Sequence, residues 1–247
     1  MFSQFEGAEL VAEKCELSRE DLDEFAAESH RRAITATKEG RFKNEIIPVA
    51  GKSKAGEDIV LSADEGMRPG TTPAKLSKLK PLRRGPGGRL TAGTSSQITD
   101  GASAILLCNE AGLRKLGVKP RAKIVGLSVV GSDPVMMLYG PIPATRLLLK
   151  KTGMRLEDVD LYEVNEAFAS VPLAWAKELG ADRSKLNVNG GAIAIGHPLG
   201  ATGTKLMTTL VNELERRGGK YGLQAICEGG GTANATLIER IPPQARL

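Results

Sequence analysis

Three residues of this sequence have side chains that could do chemistry together: Cys227, His197 and Asn165. Cys227 opens the run Cys-Glu-Gly-Gly-Gly at residues 227–231. A lone cysteine is more often a buried hydrophobe, yet the glycines give this one space, and exposed backbone N–H groups beside it could bind an oxyanion. His197 lies between Gly196 and Pro198, in a stretch of residues 187–203 with five glycines. An isolated histidine is usually structural, but these stiff flanks place an imidazole rigidly on a loop, as a general base requires. Asn165 stands where an apolar strand gives way to a helix. Its amide could cap that helix, or it could hold a water or a carbonyl oxygen at the strand end, where α/β sheets bind ligands. Cysteine, histidine and asparagine in this setting suggest thiol-dependent acyl chemistry.

The other candidates carry less. Cys15 and Cys108 read as apolar residues, and His30, in a helix beside Arg31 and Arg32, reads as surface or structural. Three cysteines, odd in number and far apart, do not make a disulfide framework. With only two histidines, nothing matches zinc-ligand spacing. The glycine-rich stretch lacks the Gly-Lys-Ser/Thr ending of a phosphate loop and the register of a dinucleotide fingerprint. Between Arg68 and Arg89 lie seven basic residues and no acidic one. That strip is either a solvated surface or a landing place for a polyanion. It has no aromatic residue for base stacking, and the net charge is only +5, so a small phosphorylated ligand suits it better than nucleic acid. No apolar run reaches the roughly 18 residues of a spanning helix, and residues 1–10 lack the order of a secretory signal. A cytoplasmic protein without membrane contact is expected.

The elements that must position these residues follow from periodicity. Among 247 residues, 41% are hydrophobic, as in a globular chain. The 29 glycines, about 12% against a usual ~7%, crowd at residues 190–203 and 229–231 and punctuate loops. Ser18, with Asp21 three residues on, predicts a helix start. Leu22, Phe25, Ala26, Ser29, Ala33 and Ala36 continue at helical spacing to a stop at Gly40. From residue 104 the pattern alternates: strand 104–108, helix 110–116, strand 124–130, helix 144–151 opened by Pro141 and Pro143, strand 159–164, helix 165–178, helix 204–217, and strands 223–227 and 233–238. Such alternation argues for a sheet covered by helices.

Together these segments closely resemble the thiolase family, the acetyl-CoA acetyltransferases and 3-ketoacyl-CoA thiolases. The likeness rests on Asn165-Glu-Ala-Phe, the stretch from Asn189-Gly-Gly through Gly196-His-Pro to Gly203, and Cys227-Glu-Gly-Gly-Gly. Thr91-Ala-Gly-Thr-Ser-Ser, Asp100-Gly-Ala and the helix from Ser18 to Gly40-Arg-Phe add to it. The resemblance implies an α/β thiolase-like fold: a C-terminal mixed sheet covered by helices plus part of a loop domain. Its divisions would fall at residues 1–92 (partial loop domain, touching coenzyme A), 93–120 (last strand and helix of the N-terminal core) and 121–247 (C-terminal domain). It implies CoA-dependent Claisen condensation or thiolysis of 3-ketoacyl-CoA, as in fatty-acid β-oxidation, with coenzyme A or acetyl-CoA as substrate and no permanently bound cofactor. His197 would help deprotonate the nucleophile and contact the thioester oxygen. Asn165 would hold a water that completes an oxyanion site with His197. Cys227 would move the α-proton of acetyl-CoA, and the Gly229 N–H would serve a second oxyanion site. Ser96, Ala92, Ala167 and Phe168 match positions near the pantetheine arm, and Arg68 resembles a nucleotide-contacting arginine. Neither Cys15 nor Cys108 sits in the setting of the family's acyl-carrying cysteine. The expectation is therefore a truncated or split form, with another chain supplying the N-terminal half, a homo-oligomer, and an exposed apolar face. A non-catalytic CoA-binding module is the alternative reading.

Overall fold

A computed structural model describes residues 3–83 and 87–242. Arg84 of the basic strip and the outer ends of the expected domains, residues 1–2 and 243–247, lie outside them. The N-terminal third carries α1 (Gln4–Lys14), α2 (Arg19–Lys38), a hairpin of β1 (Val49–Lys52) and β2 (Asp58–Leu61), and the single turn α3 (Pro73–Leu76). After α4 (Glu110–Leu116) come β3 (Ala122–Gly131), α5 (Pro141–Thr152), β4 (Leu161–Val164), α6 (Ser170–Leu179), α7 (Ala192–Ile195), α8 (Thr202–Arg217), β5 (Tyr221–Cys227) and β6 (Thr232–Arg240).

The last four strands form one sheet in the order β3-β6-β5-β4. β4 and β5 run parallel, while β5–β6 and β3–β6 are antiparallel. The fold class expected from the sequence, a mixed sheet covered by helices, is therefore the one observed. Backbone close approaches show which helix covers which face. A Cβ on Gly126 of β3 would come within 2.6 Å of Thr152 in α5. A Cβ on Gly222 of β5 would come within 2.9 Å of Leu210 and Leu214 in α8. α5 and α6 thus lie on one face, tied together by the buried bond from the Trp175 indole N–H to Thr145 Oγ1 (2.9 Å), and α8 lies on the other. Side chains alternate across the sheet: Leu223, Ala225 and Cys227 join the core under α5 and α6, and Leu161 and Ile238 pack with Leu210 and Leu214 of α8.

α2 begins as the sequence predicts. The Asp21 amide donates to Ser18 Oγ (3.1 Å) and the Ser18 amide donates back to Asp21 Oδ2 (2.8 Å). Its stripe from Leu22 to Ala36 is buried, and His30 is buried as well.

Two expectations are corrected, and one element is added. Residues 104–108 form no strand: they pair with no strand among the described residues, and Ile105, Leu106 and Leu107 are exposed. An apolar run becomes a strand only when a neighbour takes its backbone N–H and C=O groups. The helix expected from Asn165 begins instead at Ser170 behind an N-cap at Ala169, so Asn165 does not cap it. α1, whose Ala8, Val11, Ala12 and Cys15 recur at helical spacing and are buried, was not read as an element. It also takes part of the basic strip: Arg83 pairs with Glu6 and Glu13, Arg89 Nη1 sits 3.4 Å from Glu13 Oε1, and buried Glu9 accepts from the Arg89 (2.7 Å) and Leu90 (2.6 Å) amides.

Candidate active site

Asn165 and Cys227 sit at the C-terminal ends of the parallel pair β4 and β5, where helix-covered sheets open to ligands. Asn165 follows β4 directly, and its amide extends the ladder to Ala225 O (3.1 Å). Cys227, two residues further along β5, ends that strand opposite Ala233. Burial raises its thiol to about 12; the Glu228 carboxylate adds to the rise and a backbone hydrogen bond opposes it. The thiol is therefore protonated at neutral pH. Gly229–Gly231 then turn tightly, with Gly230 at φ 70° and Gly231 at φ 88°. Gly229 faces open space, since a Cβ there meets nothing within 4 Å.

Asn165 is the anomaly of the site. Its side chain is 1% exposed, yet neither Nδ2 nor Oδ1 has a hydrogen-bond partner. A buried amide left unpaired on both atoms costs stability and calls for a water, an ion or a catalytic role. Its neighbour Glu166 is the opposite case. Oε2 accepts from Ser29 Oγ (2.7 Å) and the Ile193 amide (3.2 Å), and Oε1 accepts from Asn187 Nδ2 (2.9 Å). Asn187, in the left-handed region at φ 45°, also behaves as a surrogate strand. Its Oδ1 accepts from the Val164 amide (2.9 Å) and its Nδ2 donates to Val164 O (2.8 Å). Glu166 and Asn187 together clamp the end of β4 to α2 and to the glycine-rich loop.

His197 is half-buried in that loop, ahead of α8. Burial lowers its imidazole below the ordinary value, and the Lys205 ammonium lowers it further. Its Nδ1 lies 2.5 Å from Thr202 Oγ1, and its amide donates to Gln97 O (3.1 Å). Gly196 before it has φ 83°, and a Cβ there would fall 2.2 Å from Thr99 Oγ1. Only glycine lets the loop lie against residues 97–99.

The segment 92–97 joins the other candidates. Ser96, half-buried, donates its amide to Ala167 O (3.0 Å), and the Ala169 amide donates to Thr94 O (2.9 Å). Ser95 bridges Phe168, whose ring meets Phe5 edge-on at 5.7 Å. Ala92 opens the turn at exposed positions, whereas Ala167 and Phe168 are buried. Gln97 Nε2 donates to Gly66 O (2.7 Å) and Ile193 O (2.8 Å), which brings the loop carrying Arg68 against the same hub. The Arg68 amide donates to His30 Nδ1 (3.2 Å) while its side chain is exposed. One backbone network thus links Asn165 to β5 ahead of Cys227, and His197 through Gln97 and Ser96 to Ala167. Among the described residues, no group of three or more histidine, cysteine or acidic side chains could hold a metal.

The thiolase C-terminal domain matches residues 118–240 and the thiolase N-terminal domain matches residues 6–111. The chain belongs to the thiolase family. A steroid 3-ketoacyl-CoA thiolase of Mycobacterium tuberculosis is 54% identical over 239 residues, 97% of this chain and 57% of that protein. A 3-ketoacyl-CoA thiolase of Vibrio vulnificus is 49% identical over 236 residues, 94% and 61% respectively. The solved acetyl-CoA acetyltransferase of Bacillus anthracis superposes with a TM-score of 0.92 at 42% identity, over 97% of this chain and 60% of that one. Human mitochondrial 3-ketoacyl-CoA thiolase gives 0.89 at 43%, over 96% and 59%. This thiolase-family chain therefore spans about three-fifths of the length of these relatives.

Reading the sequence singled out Asn165, His197 and Cys227 but missed the residues that hold them. Glu166 lay inside a quoted motif, and its signal was a carboxylate next to a strand end with Gly191 ahead in sequence: a Cβ on Gly191 would sit 2.3 Å from Glu166 Cδ. Thr202, five residues after His197, gave no signal beyond that spacing.

Proposed function

We propose that this chain provides the proton-transfer half of a thiolase-type site acting on acyl-CoA thioesters, in Claisen condensation or in thiolysis of 3-ketoacyl-CoA. The observation that carries the reading is the fully buried, unpartnered Asn165 amide, at the same sheet end as a protonated thiol and joined to the His197 loop through Gln97 and Ser96. In the thiolysis direction the Cys227 S–H gives its proton to the carbon of the departing acetyl-CoA enolate, and in condensation the thiolate takes it from the acetyl methyl group. Asn165, through a water, and the His197 imidazole donate to the thioester oxygen as negative charge gathers there, while the Gly229 N–H serves the second oxygen. Ser96, Ala92, Ala167 and Phe168 line the path of the pantetheine arm, and Arg68 with exposed Lys78 and Lys80 meets the nucleotide phosphates. The acyl-carrying thiol comes from outside these 247 residues. In support, Cys15 is buried at the end of α1 and Cys108 lies in the irregular stretch before α4.

Calorimetric titration with coenzyme A and transfer of solvent deuterium into the methyl group of acetyl-CoA test this together. Binding is expected, with exchange that disappears in Cys227→Ala. Binding without exchange supports the non-catalytic CoA-binding module instead, and absence of both overturns either reading. Full thiolysis of acetoacetyl-CoA by the chain alone would overturn the placement of the acyl-carrying thiol.

A further inference from the structure

Thr202 has no role in the chemistry so far described, yet it is 2% exposed and its hydroxyl is shared between two short contacts. Oγ1 lies 2.5 Å from His197 Nδ1 and 3.0 Å from Pro198 O. A carbonyl oxygen can only accept, so the hydroxyl hydrogen points to Pro198. The hydroxyl has one hydrogen. For the contact with His197 also to be a hydrogen bond, the hydrogen must then come from the imidazole. We infer that Thr202 is a positioning residue that fixes His197 as its Nδ1–H tautomer and leaves Nε2 as the free lone pair.

The surroundings hold that geometry in place. The Ala201 (2.8 Å) and Thr202 (3.0 Å) amides also donate to Pro198 O, closing the turn that starts α8. The His197 amide is fixed to Gln97 O, and Gly196 is wedged against Thr99. With both backbone and ring pinned, a bare Nε2 takes a proton from a thiol and then, as N–H, donates to the thioester oxygen. The alternative tautomer can only donate at Nε2 until Nδ1 gives up its partner. The link to acyl chemistry rests on the function proposed above; the tautomer itself does not.

His30 supplies an internal contrast. Its Nδ1 accepts from the Arg68 amide at 3.2 Å, so its hydrogen is on Nε2. The chain has only these two histidines. Two-bond proton–nitrogen correlation spectra of the uniformly 15N-labelled chain, recorded above the imidazole titrations, therefore give two readable patterns, assigned with His30→Gln. The wild-type spectrum is expected to show an Nδ1–H pattern for His197 and an Nε2–H pattern for His30. In Thr202→Val, which keeps the shape and removes the hydroxyl, His197 shifts to the Nε2–H pattern with His30 unchanged. Thr202→Ser restores the wild-type pattern. An Nε2–H pattern for His197 in the wild-type chain overturns the inference without any variant, and so does an Nδ1–H pattern that survives in Thr202→Val. Loss of coenzyme A binding with the tautomer as expected would count against the proposed function and leave this assignment standing.

Discussion

At the scale of single residues, burial decides more than identity does. Three cysteines carry the same thiol, but burial raises Cys15 and raises Cys227 to about 12, while Cys108 is exposed. Alkylation follows thiolate fraction and access, so Cys108 should react with iodoacetamide at least about a hundredfold faster than Cys227 near neutral pH. Peptide mass spectrometry over time reads this; comparable rates would show that the Cys227 pocket is open. Glu45 gives a pH signature. Burial raises it to about 7, against smaller lowering effects from the Thr209 and Asn212 hydrogen bonds. An acid whose folded value lies above its unfolded one (4.5) binds its proton more tightly when folded. Its contribution to stability is therefore lost as pH rises from about 4.5 to about 7. Glu45→Gln should gain roughly 1–3 kcal/mol at neutral pH and flatten that slope, which urea unfolding at several pH values measures.

At the scale of elements, the site is a set of loops held by buried polar clamps. Glu166 is the largest of these. Glu166→Ala leaves the Ser29 hydroxyl, the Asn187 amide and the Ile193 N–H without their acceptor, at a cost of roughly 3 kcal/mol. In a chain of this size that is a fall in midpoint of about 6–12 °C, visible by circular dichroism. Two glycines separate folding from ligand contact. Gly196→Ala combines a left-handed backbone with a 2.2 Å approach to Thr99 and should lose about 2 kcal/mol or more. Gly229→Ala meets nothing within 4 Å and should stay within about 0.5 kcal/mol of wild type. A loss of coenzyme A affinity or exchange in Gly229→Ala, which keeps the N–H, would then trace to the added methyl group crowding a ligand at the proposed oxyanion site.

At the scale of the whole molecule, the exposed apolar residues are the main feature. Ile105, Leu106 and Leu107 precede α4, Leu116 ends it, Val118 follows, and Ile124, Leu127 and Val129 lie on β3, an edge strand. Exposed apolar side chains beside an unpaired strand edge favour association. Sedimentation velocity should show concentration-dependent growth in mass, shifted toward monomer by Leu106→Lys together with Leu127→Lys. A monodisperse monomer at high concentration would contradict this.

How much was legible in the sequence depends on the range of the forces involved. The Ser18–Asp21 capping box and the α2 stripe are local, set by neighbours three or four residues away, and they were read correctly. So were the alternation that gives a helix-covered sheet and the glycine punctuation around His197 and Cys227. The tertiary structure alone decided that residues 104–108 form no strand, because a ladder needs a neighbour, and that Asn165 is a buried unpaired amide and not a helix cap. It also decided that Arg83 and Arg89 serve α1. The partners of Glu166 come from α2, the 187 turn and α7, up to 137 residues away, and no spacing rule reaches that far. Residue types fixed which chemistry was available. Burial and the direction of hydrogen bonds, which exist only once distant segments meet, fixed which atoms can perform it.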